Sequence, residues 1–186
     1  MRPDGLVRWP AGYANVIRLK ENQMETIRTH LLDASALVKL FINEDGSDTL
    51  KEYFNSRSVF WTTSLCFAEV LGVLKRKYVS NKEDLTEEEY LAASEDMVAH
   101  IRNGTISVEE VDITKLEIFN EVEKIVEKYS IDLADAFQIV SLKKGFPSSL
   151  SGDSKTILIT ADKDLAESSE SERFACMELS LKVKHQ

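Results

Sequence analysis

The chain is expected to fold as an α/β domain with a mostly parallel sheet covered by helices on both faces. Three features of the sequence carry that expectation. Short apolar runs alternate with stretches of helical periodicity. Proline occurs only at Pro3, Pro10 and Pro147, so the long interior is free to be helical. Capping signatures punctuate the alternation where strand should give way to helix.

The elements follow in order. His30-Leu31-Leu32-Asp33 closes a first strand, and Leu37, Leu40 and Phe41 keep helical spacing after it. Ser47 or Asp48 can cap a second helix running to about residue 55. Val59-Phe60-Trp61 reads as a second strand and residues 62–79 as a long apolar helix. Thr86 and Glu89 have the spacing of a capping box, opening a helix that ends near Gly104. Residues 106–111 alternate as a third strand. Thr114 and Glu117 repeat the capping-box spacing for a helix to about residue 129, and Asp132 caps another to about residue 144. Residues 145–155, GFPSSLSGDSK, read as a mobile spacer away from the carboxyl ends of the strands. Thr156-Ile157-Leu158-Ile159-Thr160 is a fourth strand, a short helix starts at Asp162, and residues 174–179 are a fifth strand. Residues 1–27 lack a sustained period and read as an N-terminal extension, a tag or an over-called start. Residues 28–180 form the domain, and residues 181–186 a loose tail.

Several function classes fall away. No apolar run approaches the roughly 20 residues that cross a bilayer, and no secretory signal opens the chain, so a cytoplasmic protein with no membrane partner is expected. Cys66 and Cys176 stand far apart in apolar company, which makes neither a zinc signature nor a disulfide framework. The seven glycines include no phosphate-binding loop. A dehalogenase-type phosphatase needs a second acid two residues after its strand-end Asp, where this chain has Ser35. An adhesion-type metal site of the form Asp-x-Ser-x-Ser begins at Asp33 and breaks at Leu37. The formal net charge of −9 is awkward for nucleic-acid binding: either the partner is not nucleic acid, or metal cations offset some of the acid.

Four acids stand in surroundings that do not suit a solvated carboxylate. Asp33 is the only charge between Leu31 and Val38, at the end of an apolar strand, and Asp162 repeats the arrangement after residues 157–161. Glu69 is the only charge between Thr62 and Leu74. It shares a helix side with Cys66 and Val73, opposite a stripe of Phe67, Val70, Leu71 and Leu74. Asp135 is the only charge between Leu133 and Leu142. Isolating carboxylates this way costs several kcal/mol unless something pairs with them, and no arginine or lysine accompanies them locally. Ligands of open parallel sheets sit at the strands' carboxyl ends where strand order reverses. If the first and fourth strands are neighbours there, Asp33 and Asp162 lie about one strand spacing apart, ~5 Å. Hard oxygen donors without His or Cys suit Mg²⁺ or Mn²⁺. Each acid also has a plain alternative as a helix cap or surface group.

These residues resemble the PIN domain, and within it the VapC-like toxins of toxin–antitoxin pairs. LLDASALVKLF resembles the family's opening strand and helix, with its first acid at Asp33 and a hydroxyl at Ser35. FAEVLGVL carries Glu69, IDLADAFQIV carries Asp135, and LITADKDL carries Asp162 between Thr160 and Asp164. The likeness covers about residues 28–180. It implies a three-layer α/β/α sandwich with a five-stranded parallel sheet in the order 3-2-1-4-5. It implies an endoribonuclease in which Asp33, Glu69, Asp135 and Asp162 hold Mg²⁺ or Mn²⁺ and activate a water. Ser35, Thr160 and Asp164 would orient those ligands, and RNA, a cognate antitoxin and a second copy of the chain would be partners. Lys75, Arg76 and Lys77 are candidates for phosphate contact, with an ordinary helix C-terminus as their alternative. A catalytically silent PIN-like scaffold that binds a partner protein is the rival reading.

Overall fold

The computed structural model describes residues 28–56, 59–80, 85–150 and 156–179. The expected extension at residues 1–27 and the tail at 181–186 lie outside the described residues. The elements are β1 (His30–Leu32), α1 (Ala34–Phe41), α2 (Ser47–Asn55), β2 (Phe60–Thr62), α3 (Ser64–Ser80), α4 (Glu87–Arg102), β3 (Ile106–Val108), α5 (Leu116–Tyr129), α6 (Leu133–Lys144), β4 (Ile157–Thr160), α7 (Lys163–Ser171) and β5 (Ala175–Glu178). The five strands form one parallel sheet in the order β3-β2-β1-β4-β5. The expected topology and the adjacency of the first and fourth strands are therefore present.

Strand alternation divides the core. Leu31, Trp61 and Leu158 face one side and pack with Val122 and Ile125 of α5 and with Phe137, Ile139 and Val140 of α6. Leu32, Phe60 and Ile159 face the other and pack with Leu37 of α1, Leu50 of α2, Val70 and Leu74 of α3 and Met97 of α4. Because both faces are covered, each inner strand is apolar at successive positions rather than at every second one. That is why β1 and β4 read in the sequence as continuous apolar runs.

Two ties fix the layers at their edges. His30 Nδ1 lies 3.0 Å from the Val59 carbonyl oxygen and Nε2 lies 2.9 Å from the Tyr53 hydroxyl, joining β1 to α2 and β2. Glu172 accepts from Lys128 at 2.8 Å, Tyr129 at 2.7 Å and Lys143 at 2.8 Å, which pins the end of α7 to α5 and α6. Those donors hold the Glu172 carboxyl down at about 2.

Local expectations held unevenly. The Thr86–Glu89 capping box is present with both reciprocal bonds, and Asp132 caps α6 through the Asp135 N–H. The Thr114–Glu117 box is absent: Thr114 instead donates to Asp112 at 2.6 Å, and α5 starts after Lys115 with no side-chain cap. The second helix is entered from Gly46 at φ 89°, a left-handed conformation, rather than capped by Ser47 or Asp48. Ser47 Oγ bonds back to the loop, accepting from Glu44 N and donating to Ile42 O. The third strand is shorter than the alternation suggested. Its continuation is used otherwise: the Glu110 carboxylate accepts from Ser64 N at 2.7 Å and Ser64 Oγ at 2.9 Å, capping α3 from outside. Within the expected spacer, Phe146–Ser149 forms a 3-10 turn, and residues 151–155 lie outside the described residues.

Leu158 is fully buried at the centre of the sheet. Leu158→Ala should cost about 2–5 kcal/mol of unfolding free energy, read as a lower urea midpoint at unchanged slope.

Candidate functional site

The site is built at the carboxyl ends of β1 and β4. Asp33 follows β1 directly, caps α1 and is only 4% exposed. Its Oδ2 accepts from Ser35 N at 3.2 Å, Ser35 Oγ at 2.6 Å and Thr160 Oγ1 at 2.9 Å. Its Oδ1 accepts from Gln138 Nε2 at 2.8 Å. A buried carboxylate needs such partners, and here they are neutral donors rather than a cation. Thr160 lies at the end of β4, and its hydroxyl also accepts from Asp162 N at 2.9 Å. Ser35 Oγ takes the Ala161 N–H at 2.7 Å. One net of hydroxyls thus joins β1, α1 and β4.

The other acids arrive from helices: Asp135 from the first turn of α6, Asp162 from the N-cap of α7 and Glu69 from the second turn of α3. Asp135, in the first turn of α6, is half-buried. Its nearest donor is Gln138 Nε2, at 3.5 Å. Burial raises the Asp135 carboxyl to about 8, and the negative charges of Asp33, Asp132, Asp162 and Glu69 add to the shift. Glu69 is raised as well, by burial and then by Asp33 and Asp132, with Arg76 opposing. These carboxylates therefore act on one another electrostatically, although they come from separate segments of the chain. Among the described residues, no lysine, arginine or histidine forms an ion pair with Asp33, Glu69, Asp132, Asp135 or Asp162. Among the same residues, no three His, Cys, Asp or Glu side chains stand close enough to hold a metal ion as they are.

Several sequence readings change. Isolation among apolar neighbours describes Asp33 and, by half, Asp135. Glu69 and Asp162 are exposed. Asp162 does act as a helix cap, accepting from Leu165 N at 3.0 Å through Oδ1. Cys66 is not on Glu69's side: it is fully buried with Val70 and Leu74, where burial and the nearby Asp33 push its thiol up to about 12. Cys176 is half-buried. Asp164 is exposed in the first turn of α7 and has no hydrogen bond to the other acids. The basic trio lies within α3, which continues to Ser80. Lys75 sits over the stacked rings of Tyr78 and Tyr90, Arg76 acts on Glu69, and Lys77 pairs with Glu44 at 2.7 Å.

Sequence reasoning missed three participants. Gln138 is fully buried and gives its amide N–H₂ to Asp33, while its Oε1 has no partner among the described residues. The signal was a lone polar residue inside the apolar run Ala136-Phe137-Gln138-Ile139-Val140. Asp132 contributes charge to the cluster besides capping α6. Lys39, which the sequence did not single out, is 7% exposed.

The comparisons with known proteins agree with the fold. The family model of the PIN domain matches residues 30–170. The chain belongs to the PIN domain family, whose members are generally nucleases working with divalent metal ions. Among solved structures it is similar to one titled the crystal structure of PAE2754 from Pyrobaculum aerophilum. The TM-score is 0.55 and the identity 18%, over 82% of this chain and 90% of that one. At that identity the likeness speaks for the fold. A search of the curated proteins found no match. No helix among the described residues is long and apolar enough to cross a membrane.

The raised Asp135 carboxyl sets a sign. Between about pH 4 and pH 8 the folded protein keeps a proton on Asp135 that the unfolded chain has lost, so this group makes stability fall as pH rises through that window. In EDTA, Asp135→Asn should melt higher than the wild type at pH 8.5, and the difference should shrink at pH 5. A wild type that melts higher at pH 8.5 would show that the repulsion at Asp135 is absent.

Proposed function

We propose that the chain is a metal-dependent endoribonuclease of the VapC-like kind, with Asp33, Glu69, Asp135 and Asp162 as its metal-holding and catalytic carboxylates. The observation that carries this reading is a set of mutually repelling acids to which no basic side chain is paired among the described residues. Such a set raises the energy of the folded protein unless a cation is its counterpart. The donors are oxygens only, which fits Mg²⁺ or Mn²⁺. A bound ion of this kind supplies an acidified water and neutralises charge on a phosphodiester.

The chain's own residues have separable tasks. Ser35, Thr160 and Gln138 fix the Asp33 carboxylate. Oδ1 of Asp33 accepts one hydrogen bond only, so it keeps acceptor capacity on that side. Asp162 uses Oδ1 as a cap and has Oδ2 to offer. Asp135 must release its proton to serve as a ligand, so ion binding near neutral pH should be accompanied by proton release. Asp164 would act, if at all, through water, since it is exposed and makes no direct bond to the other acids. Arg76 and Lys77 lie on the Glu69 side of α3 and are better placed for substrate phosphate than Lys75. A cognate antitoxin and a homodimer belong to the same proposal and rest on likeness to the VapC-like group.

The second reading is a catalytically silent scaffold that binds a partner protein. It is favoured by the lack of any three ligand side chains already within reach of one ion among the described residues.

Two measurements separate the readings. Asp33→Asn should abolish Mn²⁺-dependent cleavage of a mixed RNA pool, while Glu88→Gln, in the exposed first turn of α4, should leave it intact. Equal cleavage by wild type and Asp33→Asn would remove the assignment. Millimolar Mn²⁺ should also raise the melting temperature of the wild type and not that of Asp33→Asn. A wild type with neither cleavage nor a Mn²⁺-dependent melting shift is the scaffold.

A further inference from the structure

Beside the carboxylates lies a cavity of about 280 Å³ between α1 and α3. One end is walled by Ser35, Ala161 and Glu69, and so opens on the site. The other end holds Lys39, Glu44 and Lys77. Glu44 lies between two ammonium groups: Lys77 Nζ is 2.7 Å from its Oε1, and Lys39 Nζ is 3.5 Å from its Oε2. The two lysines differ in kind. Lys39 is buried and also donates to the Asp45 carbonyl oxygen at 2.9 Å, so it is fixed to the loop before α2. The Lys77 side chain is one-third exposed and comes from the opposite wall on α3. Glu44, on the loop after α1, is about a quarter exposed.

The geometry points to Lys77 as the anchor for an RNA phosphate next to the scissile one, with Glu44 as the internal anion that occupies that place until RNA enters. The proposal rests on the nuclease reading of the neighbouring acids. A carboxylate is a planar and a phosphodiester a tetrahedral oxyanion, and an ammonium holds the oxygens of either at similar distances. The Glu44–Lys77 pair is partly solvated, so little energy is lost when one anion replaces the other. The cavity's charge order is also directional. Glu69 lines the end where a metal-held phosphate belongs, and the two lysines that line the cavity among the described residues, Lys39 and Lys77, lie at the other end with Glu44 between them. A strand of RNA crossing it would set one phosphate among the carboxylates and their ion and the next beside Lys77. This arrangement answers how a chain of net charge −9 can engage a polyanion: the needed positive charge is local and is masked in the free protein.

An ion pair that merely clamps α1 to α3 makes a different prediction. Removing either partner of a clamp should harm the protein in the same direction. Removing the partners of an anion exchange should have opposite effects. The test is binding of a labelled single-stranded RNA oligomer, followed by fluorescence anisotropy in EDTA at low ionic strength, so that neither metal nor cleavage enters. Glu44→Gln should bind roughly threefold to tenfold tighter than wild type, and Lys77→Ala weaker by a similar factor. Lys77→Arg should bind about as the wild type does, and so should Lys124→Ala on the exposed face of α5. Melting temperatures of all variants confirm folding. Tighter binding by Glu44→Gln with weaker binding by Lys77→Ala supports the proposal. Equal or weaker binding by Glu44→Gln, no binding by any variant, or equal losses at Lys77 and Lys124 would overturn it. The two readings fail separately. RNA binding in the expected order without Mn²⁺-dependent cleavage removes the nuclease and keeps the phosphate anchor. Cleavage with the order broken removes the anchor alone.

Discussion

A buried carboxylate at the end of the central strand is the constraint on which the rest of the structure depends. Asp33 closes β1 and is 4% exposed, in a place where an unpartnered charge would be prohibitively expensive. Its neutral donors come from three separate segments: Ser35 on α1, Thr160 at the end of β4 and Gln138 within α6. Meeting them requires β1 and β4 to be neighbours and α6 to lie across that seam. The strand order β3-β2-β1-β4-β5 provides the first condition, and the packing of Phe137, Ile139 and Val140 under the sheet provides the second. Satisfying one anion thus fixes the relative position of elements that lie more than a hundred residues apart in the chain.

The same satisfaction leaves a tension around it. Neutral hydrogen bonds satisfy Asp33 without bringing a cation, and Asp33, Asp132, Asp162 and Glu69 all act on Asp135. Asp135 bears the consequence, because it is half-buried, has one long contact to Gln138 and feels every other member of the cluster. A fold selected for stability alone would place a lysine or a neutral side chain there. Elsewhere the protein does pair its acids: Glu172 is held by Lys128, Tyr129 and Lys143 and falls to about 2. Two partly buried carboxylates in one small domain are thus displaced in opposite directions. Glu172 joins layers and Asp135 opposes its neighbours, a contrast that the proposed role of Asp135 as a metal ligand would account for.

Much of this was legible from residue order. The alternation of apolar runs and helical spacing located every strand, because inner parallel strands are apolar on both faces and stand out against amphipathic helices. Asp33 was visible as a charge in an apolar run, and that signal is physical because the run is buried. Glu69 and Asp162 were singled out by the same argument, yet they are exposed. Their apolar neighbours point elsewhere: Cys66, Val70 and Leu74 turn to the core while Glu69 turns out. Linear isolation cannot tell burial of a residue from burial of its neighbours. Long-range partners were illegible for a related reason. Nothing near Ser64 announces that Glu110 caps it, and nothing near Asp33 names Gln138 as its donor. The Thr114–Glu117 spacing misled because Asp112, two residues earlier, offered the Thr114 hydroxyl a closer acceptor.

The net charge also takes a different meaning once the structure is in view. A total of −9 describes the far field, which slows the approach of RNA and weakens nonspecific contact. Affinity at short range depends on which charges face the groove and whether they are already paired. Lys39 and Lys77 face it, and both are engaged by Glu44. If the chain cleaves RNA as proposed, such masking has a physical advantage. On that reading, RNA lacking a phosphate in register with Lys77 would gain nothing by displacing Glu44, whereas one that spans both ends of the cavity would gain at each. Weak attraction outside the groove and exchange within it would make binding depend on the fit of the strand rather than on its charge. Acidity of the whole chain and recognition of a polyanion are then compatible, provided that the cation at the carboxylates and the ammonium of Lys77 act on successive phosphates.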